Sequence, residues 1–240
     1  MPQTTTTTEM TVEQTSLIED LTDIFYNPSG VLARRAAGNF LGVGLILMVL
    51  YSILSIASLS ALEPLWEAEF ARGMATALEE NPEIATQLEG ARAFTSLMTI
   101  VGGVLFIPLI ALIVGGLIRL LSIPFDAKLT FKVSAMIAIY AQFPRLLQQI
   151  LNVVQGYILS PDALTSRFAI GFSPARFLDV ETTAPILMVL AERFDLFTIW
   201  ATVIIGIGFK VLGKLPTRSA IAAASLVWLI VALPAIVGAL

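Results

Sequence analysis

Residues 194–212 read FDLFTIWATVIIGIGFKVL. Between Asp195 and Lys210 lie 14 uncharged residues, Leu196 to Phe209, all apolar, small or Thr. An α-helix rises about 1.5 Å per residue, so a hydrocarbon core of roughly 30 Å takes about 20 residues. Joined to the apolar turn before it, Pro185 to Leu190, the stretch predicts one long helix. Glu192, Arg193 and Asp195 then lie at one interface and Lys210 at the other. The fold class that follows is all-α, a polytopic membrane helical bundle.

Composition supports that reading and removes several kinds of chemistry. The chain of 240 residues is 57% hydrophobic and only 13% charged, against roughly 25% charged in soluble domains. It has no Cys and no His, which excludes disulfides, thiolate nucleophiles, Ser-His triads, imidazole relays and Cys or His metal sites. A net charge of −4 is the wrong sign for a nucleic-acid binder. The polar, acidic start carries no signal-peptide pattern.

Working outward, five spans are expected, at about 39–62, 94–121, 131–159, 194–212 and 220–240. The first has no charge, and Gly38, Gly42, Ser52 and Ala57 let helices approach it closely. Gly102-Gly103 and Gly115-Gly116 open the second for tight packing, and Pro108 is expected to kink it. The third is the least apolar. It contains Gln142, Arg145, Gln148, Gln149, Asn152 and Gln155, and Pro144 interrupts it. The turn GKLPTRS over 213–219 leads into the fifth.

Residues 1–16 form a Thr-rich tail expected to be disordered. Residues 17–37 form a cytoplasmic amphipathic segment ahead of the membrane domain at 38–240. In it Leu17, Ile18, Leu21, Ile24 and Phe25 fall on one helical face and Glu19, Asp20 and Asp23 on the other. Ser16 and Glu19 form a capping box, and Asn27-Pro28-Ser29-Gly30 ends the helix. The segment either lies on the protein or bilayer surface or docks a cytoplasmic partner through Leu17, Leu21, Ile24 and Phe25. Between the first two spans, Trp66, Phe70, Met74 and Leu78 are spaced by four and predict an amphipathic helix. Asn81-Pro82-Glu83 starts the next helix. The seven Glu of residues 63–93 are scattered without a calcium-loop spacing and read as a solvated face. Ser160-Pro161-Asp162 and Ser173-Pro174 read as short helix starts in the second long loop.

Lysine and arginine set the orientation. With five spans, eight of them (Arg34, Arg35, Arg119, Lys128, Lys132, Lys210, Lys214 and Arg218) share the N-terminal side, and five fall in the longer loops opposite. Positive charge near span ends stays cytoplasmic, so the N-terminus is placed in the cytoplasm.

The residues able to carry chemistry are few. Arg145 lies 13 residues after Lys132, about 20 Å along a straight helix, where a cation is costly unless paired or wet. Arg145, Gln148, Asn152, Glu192 and Asp195 form the expected intramembrane polar cluster, with Glu192 or Asp195 as partner for Arg145. Three readings fit it: an ion pair and amides that hold helices together, a polar pathway for an ion or small solute, or a place for Arg145 near the interface because Pro144 bends the span. No HExxH, Ser-His or nucleotide-loop pattern is present. No catalytic, cofactor-binding or metal residue is therefore assigned.

Several stretches resemble the Yip-domain family of small five-span integral membrane proteins. FYNPSGVLARR before the first span is similar to the short Phe-x-x-Pro entry of bacterial members. LTFKVSAMIAIYAQFPRLL resembles the family's third-span entry, with Phe131, Lys132, Tyr140, Ala141 and Pro144 at the matching positions. FDLFTIWATVIIGIG resembles its fourth span through Phe197, Trp200 and Gly206 to Gly208, and the Trp228 span fits its fifth. The likeness covers roughly residues 17–237. Eukaryotic relatives are associated with Rab GTPase binding and vesicle traffic, but their longer cytosolic region is not seen here. The resemblance implies a non-enzymatic scaffold or adaptor of the bacterial inner membrane. Its expected partners are the lipid bilayer, a second copy of the chain and a cytoplasmic protein, with no cofactor and no nucleic acid. The alternative is a small transporter or channel using the polar third span around Arg145.

Overall fold

A computed structural model describes residues 17–36, 41–80 and 88–240. The expected tail at 1–16, the Ser16 half of the capping box and the Asn81-Pro82-Glu83 helix start lie outside those residues. Among the described residues every regular element is a helix.

Two short helices come first, α1 (Leu17–Tyr26) and α2 (Pro28–Arg35). The break between them is chemically defined. The Asn27 side chain accepts the Gly30 N–H at 3.1 Å, and Pro28 fills the first turn, where its missing N–H costs nothing. A Cβ on Gly30 would sit 2.5 Å from the Asn27 amide nitrogen, so only glycine leaves room for the cap.

The long helices are α3 (Leu41–Ala61), α4 (Glu63–Glu80), α5 (Leu88–Ser122) and α10 (Thr217–Gly238). Among the described residues, three stretches are long and apolar enough to cross a membrane as single helices: α3, residues Phe94–Ser122 of α5, and α10. Helix α5 runs unbroken through Pro108.

The expected third and fourth spans are each two helices. The third divides into α6 (Phe131–Tyr140) and α7 (Phe143–Ile158). Pro144 has no N–H for the Tyr140 carbonyl four residues back, and its ring crowds that carbonyl. The chain closes α6 instead with Ala141 N–H on Ile137 O at 2.9 Å and a tighter Gln142 N–H on Ile139 O at 3.0 Å. The fourth is α8 (Pro185–Glu192) and α9 (Leu196–Val211), bent by 51°. The single long helix expected across 185–212 is thus corrected. Asp195 is extended, with ψ 134°, and caps a new helix by accepting the Phe197 and Thr198 N–H groups at 2.9 and 3.0 Å. With the bent pair taken as one span, the described residues carry up to four candidates, and α6–α7 is not among them.

Helix α6 is the centre of the bundle. Every residue from Ser134 to Tyr140 is buried, between α5 on one side and α9 on the other. Close approach is set by glycine. A Cβ on Gly115 would lie 2.8 Å from the Ala135 Cα, and one on Gly208 would lie 2.7 Å from Ile137. In each glycine pair of the second span only one member does this work. Gly103 meets Ser55 and Gly115 meets Ala135, whereas Gly102 and Gly116 face open space.

Opposite the α1–α2 end, α4 folds back over the second long loop. Arg72 reaches Glu181 at 3.0 Å and the Thr165 carbonyl at 2.8 Å, and Glu69 accepts the Arg167 N–H at 2.9 Å. The loop's two expected helix starts appear as 3-10 turns, Pro161–Ala163 and Pro174–Phe177.

Candidate functional site

Two groups of charged residues meet the bundle, one at each side of the break between α6 and α7. The first is a clamp. Asp20 of α1 is 0% exposed. Its Oδ1 accepts from Arg34 at 2.7 and 2.9 Å, and its Oδ2 accepts from Arg35 at 2.5 Å and from the Tyr140 hydroxyl at 2.8 Å. Arg34 also donates to Asp23 at 2.5 Å. A buried carboxylate needs such saturation, since a lone buried charge costs several kcal/mol. The expectation that Asp20 lies on the face opposite the apolar one is corrected. Asp20 is three residues after Leu17 and four before Ile24, so it sits at the edge of the apolar face and goes in with it.

That apolar face is turned into the chain's own bundle. Ile24, Val31 and Leu32 are fully buried, and Leu17, Leu21 and Phe25 pack against the core. The Phe25 ring meets Trp200 at 5.4 Å and Phe143 at 6.3 Å. Trp200 lies 11 residues before the end of α9, about 16 Å along it. The hairpin is therefore wedged beside the bundle down to the level of the α6–α7 break. Leu17, Leu21, Ile24 and Phe25 are turned inward, as in a helix lying on the protein, one of the two readings of this segment. The outward side presents Glu19, Thr22 and Tyr26, the last 74% exposed.

The electrostatics of the clamp follow from its hydrogen bonds. The Tyr26 hydroxyl bonds to Asp23, and this contact and then Arg34 hold the Asp23 carboxyl below its ordinary value of 3.8. The same contact pushes the Tyr26 phenol up. Burial pulls the Arg34 guanidinium down, but its bonds to Asp23 and Asp20 outweigh that and leave it raised.

The second group lines a pocket of about 370 Å³ among α7, α8, α9, α10 and the second long loop. It brings together all five residues of the expected polar cluster: Arg145, Gln148, Asn152, Glu192 and Asp195. Their pairing differs from either expected ion pair. Arg145 donates to the Thr198 hydroxyl at 3.0 Å, and Gln148 donates to Asp195 Oδ2 at 3.0 Å. Asp195 Oδ1 is already taken by its own helix cap, so the carboxylate is satisfied without Arg145. Glu192 lies 3.6 Å from Arg167. Arg193 donates to the Trp228 carbonyl at 2.7 Å with its guanidinium over the Trp228 ring.

Sequence reasoning missed Thr198, Arg167 and Ser173 on this pocket, and Tyr140 at the clamp. The spacing Arg145, Gln148, Gln149, Asn152 is i, i+3, i+4, i+7 and marks one face of α7. The loop residues carried no comparable signal.

A family model for the Yip1 domain matches residues 23–239. No curated protein and no solved structure matches the chain. The match gives no support to a solute pathway through the polar third segment. It takes in Asp23, Arg34 and Arg35 of the clamp, both helix breaks and the whole pocket, and with all-α architecture and several membrane-length apolar helices around them, this membrane protein belongs to the Yip1 domain family.

Proposed function

We propose that the protein is a non-enzymatic scaffold of the bacterial inner membrane that presents its N-terminal hairpin to a cytoplasmic partner. The topology has five spans, with α6–α7 as the third, α8–α9 as the fourth and the N-terminus in the cytoplasm. The observation that carries this reading is the saturated burial of Asp20 against Arg34, Arg35 and Tyr140. It holds the hairpin in one position and leaves the side with Glu19, Thr22 and Tyr26 outward. Family membership and the bias of lysine and arginine toward the hairpin side support it.

The test uses photo-crosslinking residues placed at Thr22 and Tyr26 in cells. A discrete protein adduct that disappears in Asp20→Ala supports recruitment by the docked hairpin. Adducts with lipid alone sink it. Because the chain has no cysteine, single cysteines at Ser29 and Asp162 report orientation without background. Labelling of Ser29→Cys from outside the cell would overturn the cytoplasmic placement.

A further inference from the structure

The pocket at α7 holds more positive charge than its own carboxylates neutralise. Arg145, Arg167 and Arg193 face Glu192 and Asp195 across it. Asp195 is consumed by its helix cap and Gln148, and Glu192 by the loose contact with Arg167. Arg145 spends one N–H on Thr198 and, among the described residues, reaches no carboxylate at ion-pair distance. The Arg193 Nε and the Asn152 Oδ1 are buried with no partner. An unneutralised guanidinium beside unsatisfied polar atoms is costly in a membrane protein. Arg145 and the Arg193 Nε leave donors over around a space large enough for a ligand, and a half-turn of the Asn152 amide would put its NH2 there in place of the unpaired oxygen.

The walls say what kind of anion fits. Arg145, Gln148, Gln149 and Asn152 supply one polar side, with Ser173 from the loop. Leu62, Leu65, Val231, Ala232 and Ala235 supply an apolar one. Val231 and Ala235 are exposed on α10 as well as lining the pocket, so the space opens sideways along a candidate membrane span. The planar guanidinium fork matches a phosphate bidentately.

We propose that this pocket binds a phosphate ester, its oxyanion held by Arg145 with help from Arg167 and the NH2 of Asn152, and its apolar part lying against α10. The inference does not depend on the hairpin recruiting a partner. Two sources share this chemistry: the headgroup of an anionic phospholipid and a soluble phosphate.

The experiment is thermal unfolding of the full chain in uncharged detergent. It is titrated separately with short-chain phosphatidylglycerol, short-chain phosphatidylcholine, glycerol phosphate and inorganic phosphate. The expected result is a saturable rise of several degrees with phosphatidylglycerol and little with phosphatidylcholine. An equal rise with glycerol phosphate or inorganic phosphate supports the same site with a soluble source. Arg145→Gln is expected to weaken the half-saturating concentration at least tenfold. Asn152→Leu guards against simple misfolding. Its amide oxygen has no partner to lose, so the ligand-free midpoint is expected to hold or rise while the ligand response is lost. No saturable response to any of the phosphates, or an undiminished response in both variants, overturns the proposal.

Discussion

Tyr140 and Asp20 are 120 residues apart in the chain, yet the phenol donates to the carboxylate at 2.8 Å. The bond ties the last residue of α6 to a hairpin that precedes every membrane-length helix. Asp20→Ala removes the common partner of Arg34, Arg35 and Tyr140 together. Breaking a buried pair from one side costs about 3–5 kcal/mol. The arginines are 23% and 19% exposed, so a loss near the lower end is expected. Tyr140→Phe removes one bond to a charged group, about 1.5–3 kcal/mol. Val31 of α2 is fully buried where the hairpin meets the bundle, so labelling of a Val31→Cys variant reports undocking. Asp20→Ala is expected to speed it by about a hundredfold and Tyr140→Phe by about tenfold or more, at 1.4 kcal/mol per decade. Equal labelling in all three backgrounds would remove the clamp from the argument.

The clamp also has a defined response to acid. The Tyr26 hydrogen bond and Arg34 hold the Asp23 pKa below 3.8 in the folded chain. A depressed carboxylate contributes stability that is present above its unfolded value and lost as the pH falls through the folded one. The difference in Val31→Cys labelling between Asp23 and Asp23→Asn chains should therefore be constant from neutral pH to about pH 5. It should shrink below pH 3.8. A difference that grows on acidification would reverse the sign of the interaction.

Helix α7 crosses α3 at Gly156. A Cβ there would overlap the Ala61 carbonyl oxygen and come within 2.7 Å of the carbonyl carbon. Backbone cannot step aside as a flexible side chain can, so Gly156→Ala is expected to cost about 1–3 kcal/mol, the usual range for overpacking. Gly102→Ala is the matched control, because nothing lies within 4 Å of its Cβ position, and alanine there should stabilise slightly through helix propensity. Thermal unfolding in detergent separates the two. A neutral Gly156→Ala would mean that α3 and α7 part easily.

The sequence made the membrane class, most helix positions and the Pro144 break legible, because hydropathy and proline act locally. The five residues of the polar cluster were also named from sequence, and the structure gathers them. Their partners were not legible. Asp195 has the residue type to pair with Arg145, but it sits just where the chain bends by 51°, and its oxygens go to the new helix start and to Gln148 instead. Likewise the sequence reading set Asp20 with Glu19 and Asp23, while its spacing from Leu17 and Ile24 puts it at the edge of the apolar face. The conflict is resolved by Tyr140, which no local pattern connects to α1.

Asp195 offers the sharpest test of how that bend is held. Asp195→Ala removes the cap, worth about 0.5–2 kcal/mol, and leaves the half-buried Gln148 amide without its acceptor, about 1 kcal/mol more. Asp195→Asn should cost much less. Asn caps a helix about as well as Asp, and the Gln148 amide can rotate to offer its oxygen to the new NH2 group. Replacing Gln148 with Leu in the Asp195→Ala background should recover part of the loss, since the orphaned donor is gone. Unfolding midpoints for these variants give the cap and the amide contributions separately. If Asp195→Asn proves as damaging as Asp195→Ala, the negative charge rather than the cap geometry is what the site requires. The net charge facing Arg145 and Arg193 would then set the stability of the α8–α9 bend.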